Sequence, residues 1–151
     1  MKKLTPILLA LSLTGGLACK KSEPPPTPPP TLPPTTVAPV VGVTGVTLGN
    51  AIGADKRVAA PMEAFAAKDT IYASVDTAGT GHAKLRALWS FVKGDKTAKV
   101  NETTMEFDSS APAVNEFHIT KPGGWPKGDY KVEIFLGDAA TPAMTRTFKV
   151  S

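Results

Sequence analysis

Residues 128–136 have the sequence Gly-Asp-Tyr-Lys-Val-Glu-Ile-Phe-Leu, in which every second side chain from Tyr130 onward is apolar. Alternation with a period of two is typical of a strand that buries one face. Four side chains share the apolar face: Tyr130, Val132, Ile134 and Leu136. The stretch therefore predicts a strand with one side in a hydrophobic core.

Six further segments are predicted as strands, several of them with the same alternation, and they are separated by Gly, Pro, Asp and Asn residues. They span residues 43–52, 70–77, 84–92, 99–107, 114–121 and 144–150. Short strands at this spacing are typical of an antiparallel sandwich. The one Ala-rich stretch, residues 58–68, allows a turn of helix, but Pro61 interrupts it. The sequence therefore predicts one all-β domain of about seven strands over residues 44–151.

The run at residues 128–134 resembles the late strand of immunoglobulin-like and fibronectin type III-like sandwiches, in which a Tyr hydroxyl bonds back to the backbone and pins a corner. The resemblance implies this role for Tyr130, and it implies that Trp89 is the buried Trp of an earlier strand. The disulfide of antibody domains is missing, because Cys19 is the only cysteine. Domains of this kind serve many unrelated functions, so the resemblance implies an immunoglobulin-like β-sandwich and no particular activity.

The N-terminal residues follow the pattern of a secretion signal. Two lysines precede an uncharged run over residues 4–18, which is shorter than the ~20 residues that span a membrane. Residues 16–19, Gly-Leu-Ala-Cys, resemble the lipobox of bacterial lipoproteins. The resemblance implies that residues 1–18 are cleaved off and that Cys19 is lipidated; an ordinary secretory signal with a chance cysteine is the alternative. In proteobacterial lipoproteins an Asp after the cysteine favours the inner membrane, so Lys20 favours the outer membrane.

A proline-rich segment separates the signal from the domain. Nine of the sixteen residues in 24–39 are prolines, and none is charged. Proline fixes φ and removes a backbone donor, which favours extended polyproline II. We therefore expect residues 19–43 to form a disordered, lipidated Pro/Thr-rich linker that reaches up to ~70 Å. A ligand for a proline-recognition domain is the less favoured interpretation.

The positive charge of the whole chain does not belong to the domain. Residues 44–151 contain 13 Lys and Arg against 12 Asp and Glu, which is close to neutral. Lys20 and Lys21 follow the lipidation site, where they suit anionic lipid headgroups. The sequence therefore predicts a membrane contact through lipid and no nucleic-acid partner.

The candidate chemical groups are scattered. His82 and His118 are the only histidines; the first is expected in the loop 78–83 and the second on the polar face of a strand. Glu102 and Glu106 are expected about 13 Å apart on one strand face, farther than the usual glycosidase pair. The sequence contains neither a Gly-X-Ser-X-Gly elbow nor clustered metal ligands. No catalytic residue, metal or cofactor is predicted.

The loop at residues 121–127 is the best candidate for an interaction site. Gly123 and Gly124 allow unusual backbone angles, and Trp125 has the type of ring that is enriched in binding hot spots. The alternative is that Trp125 caps the open end of the sandwich. We favour that structural role, because burial of the ring would stabilise a small core without disulfides.

These observations predict a non-enzymatic, lipid-anchored envelope protein. Its domain is expected to bind another envelope protein or a cell-wall polymer through an edge strand or the loop that contains Trp125. Two alternatives are an inhibitor of an extracellular protease or lysozyme, and a hydrolase with a cryptic site at the loop ends.

Overall fold

The computed structural model describes residues 40–151, which form eight strands and no helix. The predicted signal, the lipidated Cys19 and most of the tether lie outside the described residues. Among residues 40–151 there is no helix that is long and apolar enough to cross a membrane. The strands are β1 (Gly42–Gly49), β2 (Ala64–Phe65), β3 (Ile71–Ala78), β4 (Gly81–Lys93), β5 (Lys96–Ser109), β6 (Ala113–Ile119), β7 (Gly128–Leu136) and β8 (Met144–Val150).

The strands form a sandwich of two sheets. One sheet has three strands in the order β1-β3-β6, and the other has five in the order β2-β8-β7-β4-β5. All neighbouring strands are antiparallel except β2, which pairs with β8 in parallel. This order places β1, β3 and β6 as strands A, B and E of an immunoglobulin-like sandwich, and β4, β7 and β8 as strands C, F and G. The predicted all-β, immunoglobulin-like fold is confirmed.

The core lies between the inner faces of the two sheets. Alternation along β3, β4 and β7 buries every second side chain, and each large apolar side chain contributes about 1.5–3 kcal/mol to stability. The largest fully buried side chains include Trp89, Tyr130, Ile71, Leu85, Ile119 and Ile134. The side chains of this core belong to residues 41–150. The domain therefore contains a complete core and both sheets, as an independently folding unit requires.

The sequence prediction misses strand β2. Residues 58–68 form no helix: Val58 bridges Ile52, Ala64 and Phe65 pair with the end of β8, and a single turn follows in which the backbone N of Asp69 donates to the carbonyl O of Ala66. The ring of Phe65 is buried against Phe148, with ring centroids 5.4 Å apart. Tertiary packing of one aromatic ring thus overrides the helical preference of the surrounding alanines.

The hairpin of β4 and β5 is longer than predicted. Its strands have 13 and 14 residues and meet at a two-residue loop, Gly94 and Asp95, with Gly94 at φ 59°. At the other end of the hairpin, β4 begins at Gly81. The placement of His82 in a loop is therefore wrong: it lies on β4, paired in register with Asp108.

Candidate interaction surface

Trp125 lies in the core and not on the surface. Its side chain is 5% exposed. Its backbone N donates to the carbonyl O of Ala67 at 2.6 Å, and its Nε1 donates to the carbonyl O of Asp69 at 2.9 Å. The ring meets Tyr130 edge to face, at 6.1 Å between centroids. Trp125 therefore has the structural role, and the loop at residues 121–127 offers no exposed aromatic ring.

Of the two glycines in the loop, only Gly124 supports the position of Trp125. Gly124 has φ 82° and donates from its backbone N to the carbonyl O of Lys121 at 2.8 Å, which turns the chain inward. Gly123 is exposed, with open space around the position of a Cβ. Only Gly124 uses the backbone freedom that glycine provides.

Tyr130 forms the corner that the resemblance implies. Its hydroxyl donates to the carbonyl O of Pro126 at 2.7 Å, just before β7 begins. The ring stacks on Phe148 at 5.3 Å and meets Phe91 edge to face at 4.9 Å. Burial raises the pKa of this phenol, because the charged form would lose its hydration.

Trp89 is fully buried at the centre of β4, as the resemblance implies. Its ring meets Phe148 edge to face at 6.0 Å. Its Nε1 has no hydrogen-bond partner among residues 40–151. An unsatisfied buried N–H costs stability, so the packing of this ring outweighs an unmade hydrogen bond.

The histidines and carboxylates form separate surface pairs. Nδ1 of His82 lies 3.0 Å from Oδ1 of Asp108 on the five-stranded sheet, while His118 contacts Glu116 on the three-stranded sheet at 2.6 Å. A groove beside His82 is also lined by Glu106 but by no serine. Within residues 40–151 no three His, Cys, Asp or Glu side chains cluster as metal ligands do. The described residues therefore present no serine hydrolase constellation at this groove.

Strand β5 is the most exposed element of the domain. Every residue from Lys96 to Thr104 is exposed, and β5 pairs with β4 on one side only. Val100 is an extra residue in the ladder, because Trp89 faces Asn101 while Ser90 faces Lys99. It is also 38% exposed, which is unusual for a valine in a strand. An edge strand of this length presents free backbone donors and acceptors to a binding partner.

Charges line the outer face of β5 and its neighbour. Glu102 accepts from Lys99 at 3.0 Å and from Arg86 at 3.3 Å. The hydrogen bond from Lys99, and then that from Arg86, holds the pKa of Glu102 below its usual range. Arg86 also lies over the ring of Phe135, 4.1 Å from its centroid. Glu106, on the same face, forms no salt bridge within residues 40–151.

The sequence pattern alone does not identify β5 as the exposed edge. An edge strand was expected as a contact surface, but which strand lies at the edge depends on the order of strands far apart in sequence. One signal was available. Residues 96–109 lack the strong apolar alternation of 128–136 and carry five charges instead, which is typical of a strand exposed on both faces.

No protein-family model matches the sequence, and the comparison with curated proteins found no match. Among solved structures, the chain is similar to a β-glucosidase from Erythrobacter marinus, with a TM-score of 0.52 and 8% identity over 75% of this chain. The chain spans 16% of that enzyme's length. It is also similar to an immunoglobulin-like protein from Pseudomonas aeruginosa, with a TM-score of 0.49 and 16% identity over 74% of this chain and 97% of the other. The likeness to the glucosidase is one of fold alone.

Proposed function

We propose that this chain is a lipid-anchored protein of the cell envelope whose immunoglobulin-like domain binds another envelope protein or a cell-wall polymer without catalysing a reaction. The observation that carries the proposal is the long exposed edge of β5. The lipobox pattern at Cys19 and the proline-rich segment support the envelope location, and the outer membrane is favoured by Lys20.

The anchor is tested by replacing its attachment point. Two or more acyl chains hold a protein firmly on a membrane, so the wild-type chain should label with radioactive fatty acid and sediment with membranes after a high-salt wash. Cys19→Ala should abolish the label and release the chain. Cys19→Ala that remains firmly bound to membranes would contradict the anchor.

Binding is tested with the lipid-free chain, residues 20–151, on a column. We expect it to retain a protein from envelope extracts or to bind purified cell wall. Val100→Glu should abolish retention, because Val100 is exposed on β5, whereas Thr147→Glu on the exposed side of β8 should not. Repeated failure to retain protein or polymer, or equal retention by both variants, would refute β5 as the binding surface.

A second candidate is inhibition of an extracellular protease or lysozyme. The tip of the β4 and β5 hairpin, residues 93–96, is exposed at every position and ends in a two-residue loop. Such a tip suits insertion into the cleft of a hydrolase. A panel of proteases and lysozymes should then show dose-dependent inhibition that Asp95→Pro removes, and a panel without inhibition would exclude this role.

A further inference from the structure

We propose that the partner of β5 is a second copy of this chain, which adds its own β5 in antiparallel pairing to make a continuous ten-stranded sheet. The inference rests on the proposed function, since it takes β5 as the contact surface and names what binds there. It follows from how charge is distributed along this one strand.

The charges of β5 change sign along its length. Lys96 and Lys99 lie toward the N-terminal end of the strand, and Glu102, Glu106 and Asp108 follow toward its C-terminal end. An antiparallel pair about a two-fold axis sets the first half of one copy against the second half of the other. An edge strand with one positive block and one negative block is therefore complementary to an antiparallel copy of itself, whereas it places like charges opposite each other with most other strands.

Thr103 is the position of the axis that fits best. With Thr103 opposite itself and Val100 skipped in the new ladder, as it is toward β4, Lys99 faces Glu106 of the second copy on the outer face of the sheet. Axes one residue away are unfavourable: an axis at Glu102 places that carboxylate opposite its own copy, and an axis at Thr104 places Glu102 opposite Glu106. Like charges directly opposite destabilise a ladder.

The extra residue Val100 fits the same register. Toward β4, the adjacent residues Trp89 and Ser90 face Asn101 and Lys99, and Val100 is skipped. Toward the second copy, the adjacent residues Met105 and Glu106 would face the same two positions. Every facing pair then keeps its side chains on the same side of the sheet, as antiparallel pairing requires.

Two local features suit this pairing. Glu106, which has no salt bridge within residues 40–151, gains Lys99 of the second copy. Glu102 comes diagonally close to its own copy, but Arg86 of its own chain pairs with it, and Lys99 lies between it and Glu106 of the second copy, so that each copy contributes two cations and two carboxylates to this cluster. On the inner face, the half-buried Met105 and Phe107 would lose more of their contact with water.

The assembly stops at two copies. Pairing consumes the β5 edge of both chains, and the other edge of this sheet, β2, is only two residues long. The two-fold axis places residue 40 of the copies at opposite ends of the pair. A proline-rich tether with the reach that the sequence predicts, up to ~70 Å, would allow both anchors to lie in one membrane.

The register is tested by disulfide formation in the lipid-free chain, residues 20–151, which contains no cysteine. Thr103→Cys places a thiol on the axis, where facing Cα atoms lie ~4.5–5.5 Å apart, within the range for a disulfide. We expect oxidation to give a covalent dimer at least tenfold faster than with Lys96→Cys, whose copies lie about 40 Å apart in the pair. Equal rates would overturn the inference.

The charges are tested by sedimentation of the same chain. Lys99→Glu and Glu106→Lys should each weaken dimerisation about tenfold or more, and the double swap should restore it, while Lys149→Glu on β8 should change nothing. A chain that is monomeric at roughly 1 mM, or a double swap no better than either single variant, would refute self-pairing. A chain that does not dimerise could still retain another envelope component on the column, and Val100→Glu could abolish that retention. In that case the proposed function stands and only self-pairing is refuted.

Discussion

Tyr130 connects three parts of the domain through one side chain. Its ring lies between Phe148 of β8 and Phe91 of β4, and its hydroxyl holds the loop before β7 at Pro126. The hydrogen bond requires a protonated phenol, and burial favours that same form. The fold and the protonation state of this residue are therefore coupled.

Alkaline pH should weaken the domain through Tyr130. Its pKa is raised in the folded state above the ordinary value of 10.0, so its contribution is fully present below pH 10 and is lost as the pH rises through the folded pKa. Urea unfolding from neutral pH upward should show this loss in the wild type and in Tyr72→Phe. Tyr130→Phe should lose about 1 kcal/mol at neutral pH and then decline less steeply. Parallel curves for all three proteins would contradict the coupling.

Trp125→Ala should destabilise the domain rather than alter binding alone. Truncation of a buried aromatic side chain costs about 3–5 kcal/mol, and here the hydrogen bond from Nε1 to the carbonyl O of Asp69 is lost together with the ring. Lys127→Ala, an exposed change two residues away, should stay within about 0.5 kcal/mol of the wild type. Chemical denaturation measures both, and an unchanged midpoint for Trp125→Ala would show that the ring is not part of the core.

At the scale of elements, periodicity identifies the strands that bury one face. β7 and β4 carry clear alternation, and both form where the pattern predicts them. β2 carries no such signal, since its two residues are held by the backbone of Lys149 and Ser151, which donate to Glu63 and Phe65. The local sequence pattern cannot predict β2, because its hydrogen bonds come from residues more than eighty positions away in the chain.

The turn between β3 and β4 should tolerate no side chain at Gly79. This residue has φ 111°, and a Cβ there would lie 2.0 Å from the carbonyl O of Val40. Gly79→Ala must displace the first described residues of the domain, and we expect a loss of about 2 kcal/mol or more. Gly123→Ala is the matched control, because open space surrounds that position. Thermal unfolding should separate the two variants clearly, and equal melting temperatures would refute the close approach.

At the scale of the molecule, both sheets share one core. Phe148 of the five-stranded sheet contacts Trp89, Tyr130 and Phe65, and Ile71 and Phe117 of the three-stranded sheet belong to the same cluster. On one side of the sandwich, Nε of Arg146 donates to the carbonyl O of Val46 at 2.9 Å and joins the sheets. This contact explains the arginine that breaks the apolar alternation of β8.

The domain should unfold in one transition. Small single domains with a common core usually unfold cooperatively, so tryptophan fluorescence and far-ultraviolet circular dichroism should give the same midpoint in urea. Trp125→Phe leaves Trp89 as the only reporter and tests the centre of the core separately. Midpoints that differ between the two probes would mean that the sheets unfold independently.

The candidate site was only partly predictable, because the burial of Trp125 and the exposure of β5 depend on contacts between residues far apart in the sequence. The composition of residues 121–127 suggests a binding loop, yet the burial of Trp125 depends on a carbonyl 56 residues earlier in the chain. The exposure of β5 depends on the order of five strands. Both are properties of the tertiary structure, whereas Tyr130 and Pro126 are four residues apart and their contact follows from a local motif.

Val100 is a residue of β5 that could be removed without changing which side chains face the core and which face the solvent. Because it is surplus to the ladder with β4, its deletion would leave every flanking side chain facing as it does now, whereas a deletion elsewhere in β5 would turn half the strand inside out. A chain without Val100 would keep its fold, and the edge strand β5 would lose its bulge and run straighter.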